Sequence, residues 1–453
     1  MKKKQLIKST SGIRGVIGNG MDPILATTYG AAFGTFLQGG KVVIGRDSRP
    51  SGEMIQQAVM AGLLSVGCNV VDVGIVPTPT VEIAVKGLGA KGGICVTASH
   101  NKAPWNALKF FNDTGEFITP TQYKRLNAIL ESSRFTFEPV ERLGQSSGDD
   151  RWIEKHIKKT LALRSLAMTA IKKRKFKVVL DAINGAGSFA VPALLERMGV
   201  KVVRINCFGN GNFVHDPEPK PANLAQLARA VKKHKADVGF AVDPDADRLA
   251  LVDDKGEPIN EEYTLTVAVQ EVLRSTSGPT VLNLSTSRAT ADVATAAGSK
   301  VFLSKVGEAN VVDMMHKKGA VIGGEGNGGV IYPGFHAGRD SLVAVALVLS
   351  ALARTRLSLS QLIETLPQYH IIKTKAPLPD NFEAKLRAFE NFAGKLVGRC
   401  KIDRRDGLRF DFKDGWLQLR KSNTEPIYRV IVETSDEPGA KELLRAVVKF
   451  FKS

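Results

Sequence analysis

Residues 243–248 read DPDADR, which sets three carboxylates at alternate positions directly after the apolar run GFAV. Such charges repel one another unless a cation or solvent neutralises them. A hard divalent ion that takes oxygen ligands is the economical partner for Asp243, Asp245 and Asp247. An EF-hand loop would need glycine at its sixth position and glutamate at its twelfth; here those residues are Arg248 and Asp254. A solvated acidic turn is the competing reading, and the apolar run before it, which should bury the base of the loop, argues against it.

Ser99 lies in VTASHNKAPWNALKF, residues 96–110, just past another apolar run. No GxSxG elbow is present, and His100, the next residue, is expected to point away from a triad-like position. A serine without a base is a poor nucleophile toward carbonyls. As the carrier of a phosphoryl group it needs a metal and cations around it instead. Lys109 can neutralise charge or move a proton there, and His100 and Asn101 can orient the serine. The bland alternative is a serine that caps a helix.

Two further loops offer ligand chemistry. In GGEGNGG, residues 323–329, glycines allow close backbone approach, and Glu325 is a good acceptor for vicinal sugar hydroxyls; a plain turn is the alternative. RKSNTEP, residues 420–426, brings together Arg420, Ser422, Asn423 and Thr424, a guanidinium with converging donors suited to a phosphate monoester. Arg429 adds a second charge, and an ordinary surface turn is the alternative. STSGIRG (9–15) and GRDSR (45–49) read either as anion-handling loops or as ion-pair turns.

The elements that must position these loops repeat a pattern. KVVIGRD, NVVDVG and GGICVTAS form a first set of apolar runs, KVVLDA, KVVRIN and ADVGFAVD a second, and TVLNLS, KVFLSKV and AVIGGEG a third. Each run ends in a polar loop and is followed by a helix-like stretch, which predicts mostly parallel sheets covered on both faces. The run LVAVALVLSALA, residues 342–353, is too short to span a bilayer and reads as a buried helix. From about residue 368 polar and apolar residues alternate, as in LRFDFKDGWLQLR. That predicts a small α+β domain with a half-exposed antiparallel sheet. At 453 residues the chain has room for about three or four domains.

Taken together and in order, TASHN, DPDADR, GGEGNGG and RKSNTEP resemble the α-D-phosphohexomutase family over nearly the whole chain, and NGAG (184–187) and VPTPT (76–80) also fit. The resemblance implies an α/β fold of four domains around a central cleft, three similar α/β domains with mixed, mostly parallel sheets plus a C-terminal α+β domain. The implied domains are residues 1–148 with the phosphoserine loop, 149–252 with the metal-binding loop, 253–366 with the sugar-binding loop and 367–453 with the phosphate-binding loop. It further implies that Ser99 carries the phosphoryl group and joins Asp243, Asp245 and Asp247 around one Mg²⁺ per chain. His100, Lys109, Arg14 and Arg248 would act near the reacting group, with Thr10 and Lys305 assisting. Glu325 and Asn327 would face the sugar, and Arg420, Ser422, Asn423, Thr424 and Arg429 would hold the phosphate that is not reacting.

The implied activity interconverts hexose 6- and 1-phosphates through a hexose 1,6-bisphosphate, which is both intermediate and activator. Phosphoglucosamine mutase is the favoured member, with a broad phosphomannomutase/phosphoglucomutase as alternative and a phosphosugar-binding protein without turnover as the reading of another class. Departures from the family pattern stand at Lys102, Ala107, Asn327, Gly329 and Glu308; the last two remove histidines that some members carry.

The net charge of +18 raises nucleic acid or an acidic membrane as partners, but the Lys and Arg are dispersed. The densest runs, KKRKFK (172–177) and KKHK (232–235), are not interleaved with aromatics and are read as solvated faces. The expected partner is a small phosphosugar, with no nucleic acid and no membrane, in a monomer or homodimer. Four scattered cysteines without a CxxC, and an N-terminus without an apolar stretch, suggest the cytoplasm and argue against a zinc site or a disulfide framework.

Overall fold

Val- and Ile-rich runs that are buried on both sides pair best as parallel strands beneath helices. The computed structural model, which describes residues 6–422 and 427–452, contains this arrangement three times. In the first unit Gly40–Arg46 lies between Cys68–Ile75 and Gly92–Val96, all parallel. In the second Lys177–Asp181 lies between Lys201–Ile205 and Val238–Val242, and in the third Thr280–Asn283 lies between Val301–Ser304 and Ile322–Glu325. Each third strand then turns back into an antiparallel neighbour: Trp105–Phe111, Leu249–Val252 and Gly329–Tyr332. The first sheet grows to eight strands and takes in Gly12–Ile17, which pairs with Trp105–Phe111.

One apolar core runs through all three units, from Val43 to Leu366. At its centre is the helix Ser341–Thr355, whose residues are buried from Ser341 to Ala353. Asp340 caps its start by accepting from the amides of Leu342 (2.7 Å) and Val343 (3.2 Å). Among the described residues no helix is long and apolar enough to cross a membrane.

The fourth unit is a five-stranded antiparallel sheet with a core of its own around Phe389, Phe410 and Phe451. The expected half-exposed alternation holds on the edge strand His370–Pro377, but Gly415–Lys421 in the middle of the sheet is buried at every position but the last. The polar face meets the third unit instead of water. Arg288 donates to the carbonyls of Lys413 (2.9 Å) and Phe412 (3.0 Å), and Ser285 Oγ donates to Gln418 Oε1 at 2.6 Å.

The basic runs have a local cause. Lys172–Lys175 and Lys232–Lys235 end two helices, Met168–Arg174 and Ala225–His234, where positive charge favours the helix dipole. Lys175 and Lys235 turn the chain with φ of 52° and 48°, and the lysines of both runs are exposed except Lys177, which is half-buried at the start of its strand.

A buried polar chain ties the three α/β units together beside the apolar core. Thr80 Oγ1 meets His156 Nδ1 (2.9 Å), His156 Nε2 meets Asp340 Oδ2 (2.8 Å), Asp340 Oδ2 meets His336 Nε2 (3.0 Å), and His336 Nδ1 lies 3.3 Å from Glu82 Oε2. Burial disfavours the His336 imidazolium, but the hydrogen bond to Asp340 and the nearby Glu82 carboxyl prevail and raise its pKa to about 9. A histidine raised from about 6.5 holds its proton more tightly when folded. Its stabilisation is therefore complete below pH ~6.5 and is lost as pH rises through about 9. Urea unfolding across this window is expected to show the wild type losing up to about 3 kcal/mol more than His336→Gln; parallel pH profiles for the two proteins would contradict this.

Candidate active site

The turn after each third parallel strand faces the same place. In the first unit that turn begins with Thr97, whose Oγ1 donates to Asp47 Oδ2 (2.6 Å) and accepts from the Ser99 amide (2.9 Å). Ser99 sits at φ 48°, a conformation that costs a non-glycine residue about 1–2 kcal/mol. Buried Arg49 holds this loop in shape by donating to the carbonyls of Ser99, Lys102 (3.0 Å) and Trp105 (3.2 Å), while Asp47 grips its Nε at 2.8 Å. GRDSR is thus an ion-pair turn that shapes the serine loop. Ser99 Oγ donates to Asp243 Oδ2 at 2.8 Å. His100 does not turn away as expected, since its Nδ1 lies 3.3 Å from Ser99 Oγ. Burial, with Arg248 and Arg14 nearby, holds the His100 pKa well below the usual imidazole range.

In the second unit the turn is DPDADR, joining Val238–Val242 to Leu249–Val252, with Ala246 at φ 50°. Its carbonyls are fixed from three sides: Pro244 O by the Ala186 amide (2.8 Å), Asp245 O by the Thr78 amide (2.9 Å) and Ala246 O by Ser341 Oγ (2.6 Å). A side chain at Gly185 would bring its Cβ within 2.5 Å of Pro244 O, so the NGAG loop needs glycine there. The three aspartates are at most 1% exposed and offer ligand oxygens within 4.8 Å of one another.

Lys109 Nζ donates to Asp245 Oδ2 (2.6 Å) and Asp247 Oδ2 (3.1 Å), and Thr78 Oγ1 donates to Asp245 Oδ2 (2.5 Å). Burial disfavours the Lys109 ammonium, but Asp245 and Asp247 outweigh it and raise its pKa. Burial and then the charges of Asp247 and Asp245 push the Asp243 carboxyl well above its usual range. The Oδ1 atoms of Asp245 and Asp247 are buried and accept no hydrogen bond. Two orphaned carboxylate oxygens beside a repelled third carboxylate fit a divalent, oxygen-seeking cation. Arg248 stands at the rim, its Nε 3.7 Å from Asp247 Oδ1 and 4.0 Å from Asp243 Oδ2. Arg14 reaches Asn101 Oδ1 at 2.5 Å; burial and the neighbouring Arg248 lower its pKa to about 10. Thr10 lies in the turn before Gly12–Ile17, on the hairpin that carries Arg14.

In the third unit Glu325 ends its strand and is buried. Its Oε1 accepts from Asn283 Nδ2 (2.8 Å) and the Gly307 amide (2.9 Å), and its Oε2 accepts from Arg339 Nη1 (3.1 Å). With about four acceptor positions on a carboxylate, roughly one is left for a ligand, fewer than a bidentate grip on vicinal hydroxyls uses. Asn327 Oδ1 accepts from the Gly329 amide at 3.2 Å, so that oxygen is turned back into its own loop. Gly328, at φ +83°, lets its carbonyl accept from the Leu249 amide at 3.0 Å and joins this loop to the aspartate loop. Lys305 is exposed just beyond Val301–Ser304.

The fourth unit presents Arg420 and Arg429 directly opposite each other on paired strands. Like charges so placed are destabilising, and an anion between them would relieve the repulsion. Arg420 Nε lies 3.4 Å from Asp406 Oδ1, whose Oδ2 accepts from the Val306 amide at 3.0 Å. Ser422 is buried at the end of this strand pair, whereas Asn423 and Thr424 lie outside the described residues. Sequence reasoning assigned no role to Arg339 or Asp406, and noted the VPTPT segment that holds Thr78 without giving that residue a role; only the fold brings the three to the site.

Family models described as phosphoglucomutase/phosphomannomutase match in sequence: alpha/beta/alpha domain I over residues 5–137, domain II over 153–256, domain III over 260–369 and the C-terminal domain over 373–450. A Thermococcus kodakarensis protein named phosphoglucomutase/phosphomannomutase is 37% identical over 98% of each chain. A Methanococcus vannielii protein named phosphoglucosamine mutase is 33% identical over 96% of each chain. The solved structure of a phosphoglucomutase/phosphomannomutase family protein from Burkholderia thailandensis superposes with a TM-score of 0.86 at 28% identity, covering 100% of this chain and 97% of that one.

Removing Lys109 leaves two buried carboxylates without their ammonium. Lys109→Met is therefore expected to lose about 3–5 kcal/mol of stability in chelator. Millimolar Mg²⁺ is expected to restore part of that loss, read as unfolding midpoints with and without the ion. A loss that Mg²⁺ leaves untouched would argue against a cation site among the aspartates.

Proposed function

Belonging as it does to the phosphoglucomutase/phosphomannomutase family, this chain is a phosphohexomutase, and we propose that it interconverts glucosamine 6-phosphate and glucosamine 1-phosphate through a phosphoserine at Ser99. The observation that carries this reading is the 2.8 Å contact between Ser99 Oγ and Asp243 Oδ2, made where two further carboxylates keep unpartnered oxygens. In this proposal the domains 1–148, 149–252, 253–366 and 367–453 each supply one loop.

Asp243, Asp245 and Asp247 would hold Mg²⁺ together with an oxygen on Ser99; when bound, the ion supplies charge neutralisation at the transferring phosphoryl group. The protein's own part is positioning. His100 and Asn101 orient the serine side of the cleft, and Arg14, Arg248 and Lys109 line it with fixed positive charge. Phospho-Ser99 gives its phosphoryl group to a free sugar hydroxyl. The P–Oγ bond breaks as the new P–O bond forms, the hydroxyl proton ends on the Ser99 Oγ that leaves, and a hexose 1,6-bisphosphate results. The bisphosphate turns over in the cleft, its other phosphate returns to Ser99, and the isomeric monophosphate leaves. Arg420, Ser422, Asn423, Thr424 and Arg429 would grip whichever phosphate is not reacting, with Thr10 and Lys305 assisting at the cleft edge.

The sugar is argued from Glu325. A carboxylate with roughly one acceptor position left is better matched by a single charge-assisted donor, such as the C2 ammonium of glucosamine, than by two hydroxyls. Of the departures in the serine loop, Lys102 has an exposed side chain whose Nζ lies 3.8 Å from Asp216 Oδ2, and Ala107 is buried in its strand opposite Arg14.

Intact-protein mass spectrometry tests the reading. Wild type incubated with Mg²⁺, glucosamine 6-phosphate and traces of the 1,6-bisphosphate is expected to carry one phosphoryl group that exchanges with the sugar pool. Ser99→Ala is expected to carry none and to lose at least ~10³-fold in turnover. Faster exchange with mannose or glucose 6-phosphate would reassign the sugar, and a wild type never phosphorylated at Ser99 would overturn the mechanism.

A further inference from the structure

One buried side chain joins the carboxylates of two different loops. Arg339, at the end of His336–Arg339 and 7% exposed, donates from Nη2 to Asp247 Oδ2 (2.7 Å), from Nη1 to Glu325 Oε2 (3.1 Å) and from Nε to Glu308 Oε2 (2.9 Å). Its own amide donates to Glu308 Oε1 at 2.8 Å, so Glu308 clamps both the backbone and the side chain of the arginine. The guanidinium is planar and its donors are fixed relative to one another. A tilt that shortens the contact to Asp247 must alter the contact to Glu325. Asp247 belongs to the aspartate loop of the second unit and Glu325 to the glycine-rich loop of the third.

We propose that Arg339 is a positioning residue that couples cation binding at the aspartate loop to sugar binding at Glu325. This inference depends on the active-site reading above. A cation that fixes Asp247 fixes one edge of the guanidinium plane, and the other edge then holds Glu325 in the orientation a sugar meets. By linkage the effect is reciprocal, so sugar phosphate tightens the cation as much as the cation tightens sugar phosphate. Glu308 takes part by clamping the fork.

The test uses the full-length chain with Ser99 intact and dephosphorylated, and no bisphosphate added, so that no phosphoryl transfer occurs and the Ser99 oxygen stays in place. Mg²⁺ and glucosamine 6-phosphate are titrated calorimetrically, each alone and each in the presence of the other. With Arg339 intact, each ligand is expected to raise the affinity for the other about five-fold or more. Arg339→Met is expected to bring that factor to about two-fold or less. Arg339→Lys is expected to fail as a rescue, because an ammonium keeps the charge but is a compact point charge that lacks the planar fork. A purely structural arginine would lower the unfolding temperature and leave the coupling factor in place, which would overturn the proposal. Should Arg339→Met not fold, Glu308→Gln, which weakens the clamp, is expected to lower the coupling factor in the same way, and an unchanged factor there overturns the proposal equally. If the Arg339-containing protein binds neither probe, the active-site reading falls and this inference with it. If it binds both without mutual effect, the inference alone falls.

Discussion

Three carboxylates packed within 4.8 Å of one another, almost out of reach of water, are the constraint on which the rest of the molecule depends. No single α/β unit neutralises them. The first unit sends Lys109 and Thr78, the second offers Arg248 from the same loop, and the third sends Arg339. The loop backbone is fixed in the same distributed way, by amides of Thr78 and Ala186 and by the hydroxyl of Ser341. The continuous apolar core from Val43 to Leu366 follows from this requirement, because charges drawn from three sheets meet only if the sheets are held rigidly against one another.

The sequence reveals the repeat because burial on both faces forces the same residue types into each strand. KVVIGRD, KVVLDA and TVLNLS become the middle strands of three similar parallel trios, and the site follows the third strand of each. The turn that carries chemistry is therefore recognisable from a local signature: a serine after a strand, alternating aspartates, a glutamate among glycines. The partner of each signature residue is not legible in the same way. Arg339 precedes a helix-capping aspartate and looks like surface charge until the third unit places it beside Asp247. Arg49 reads equally well as an anion binder, and only the fold shows it spent on the carbonyls of residues 99, 102 and 105. The expectation of a half-exposed C-terminal sheet is met in part, on its edge strand His370–Pro377, but not on buried Gly415–Lys421, for a related reason. Alternation records that one face is polar, but not that a polar face can be buried against the polar groups of a neighbouring unit.

The seam between the third and fourth units differs in kind from those among the first three. It is made of polar contacts: Arg288 to main-chain carbonyls, Ser285 to Gln418, Asp406 to the Val306 amide, and Lys373 to Glu261 (2.9 Å), Glu262 (2.7 Å) and the Gly326 carbonyl (2.8 Å). Polar seams exchange readily with water and tolerate small rotations, whereas an interlocked apolar core does not. Arg420 sits at this seam beside Asp406, so an anion that draws Arg420 toward itself competes with an ion pair inside the fourth unit whose carboxylate also accepts the Val306 amide across the seam.

The order of these parts along the chain has a consequence for how the molecule is made. Ser99, the aspartate loop, Glu325 and Arg339 all precede the end of the shared core at Leu366, while the arginine pair lies in a unit that is synthesised after them and packs around its own aromatic residues. On the ribosome, where folding proceeds from the N-terminus, the aspartate cluster can mature before the Arg420–Arg429 pair exists. The fourth unit then docks as a finished body onto a surface already presenting hydrogen-bond partners. Biogenesis thus assembles the buried carboxylates before the paired guanidiniums.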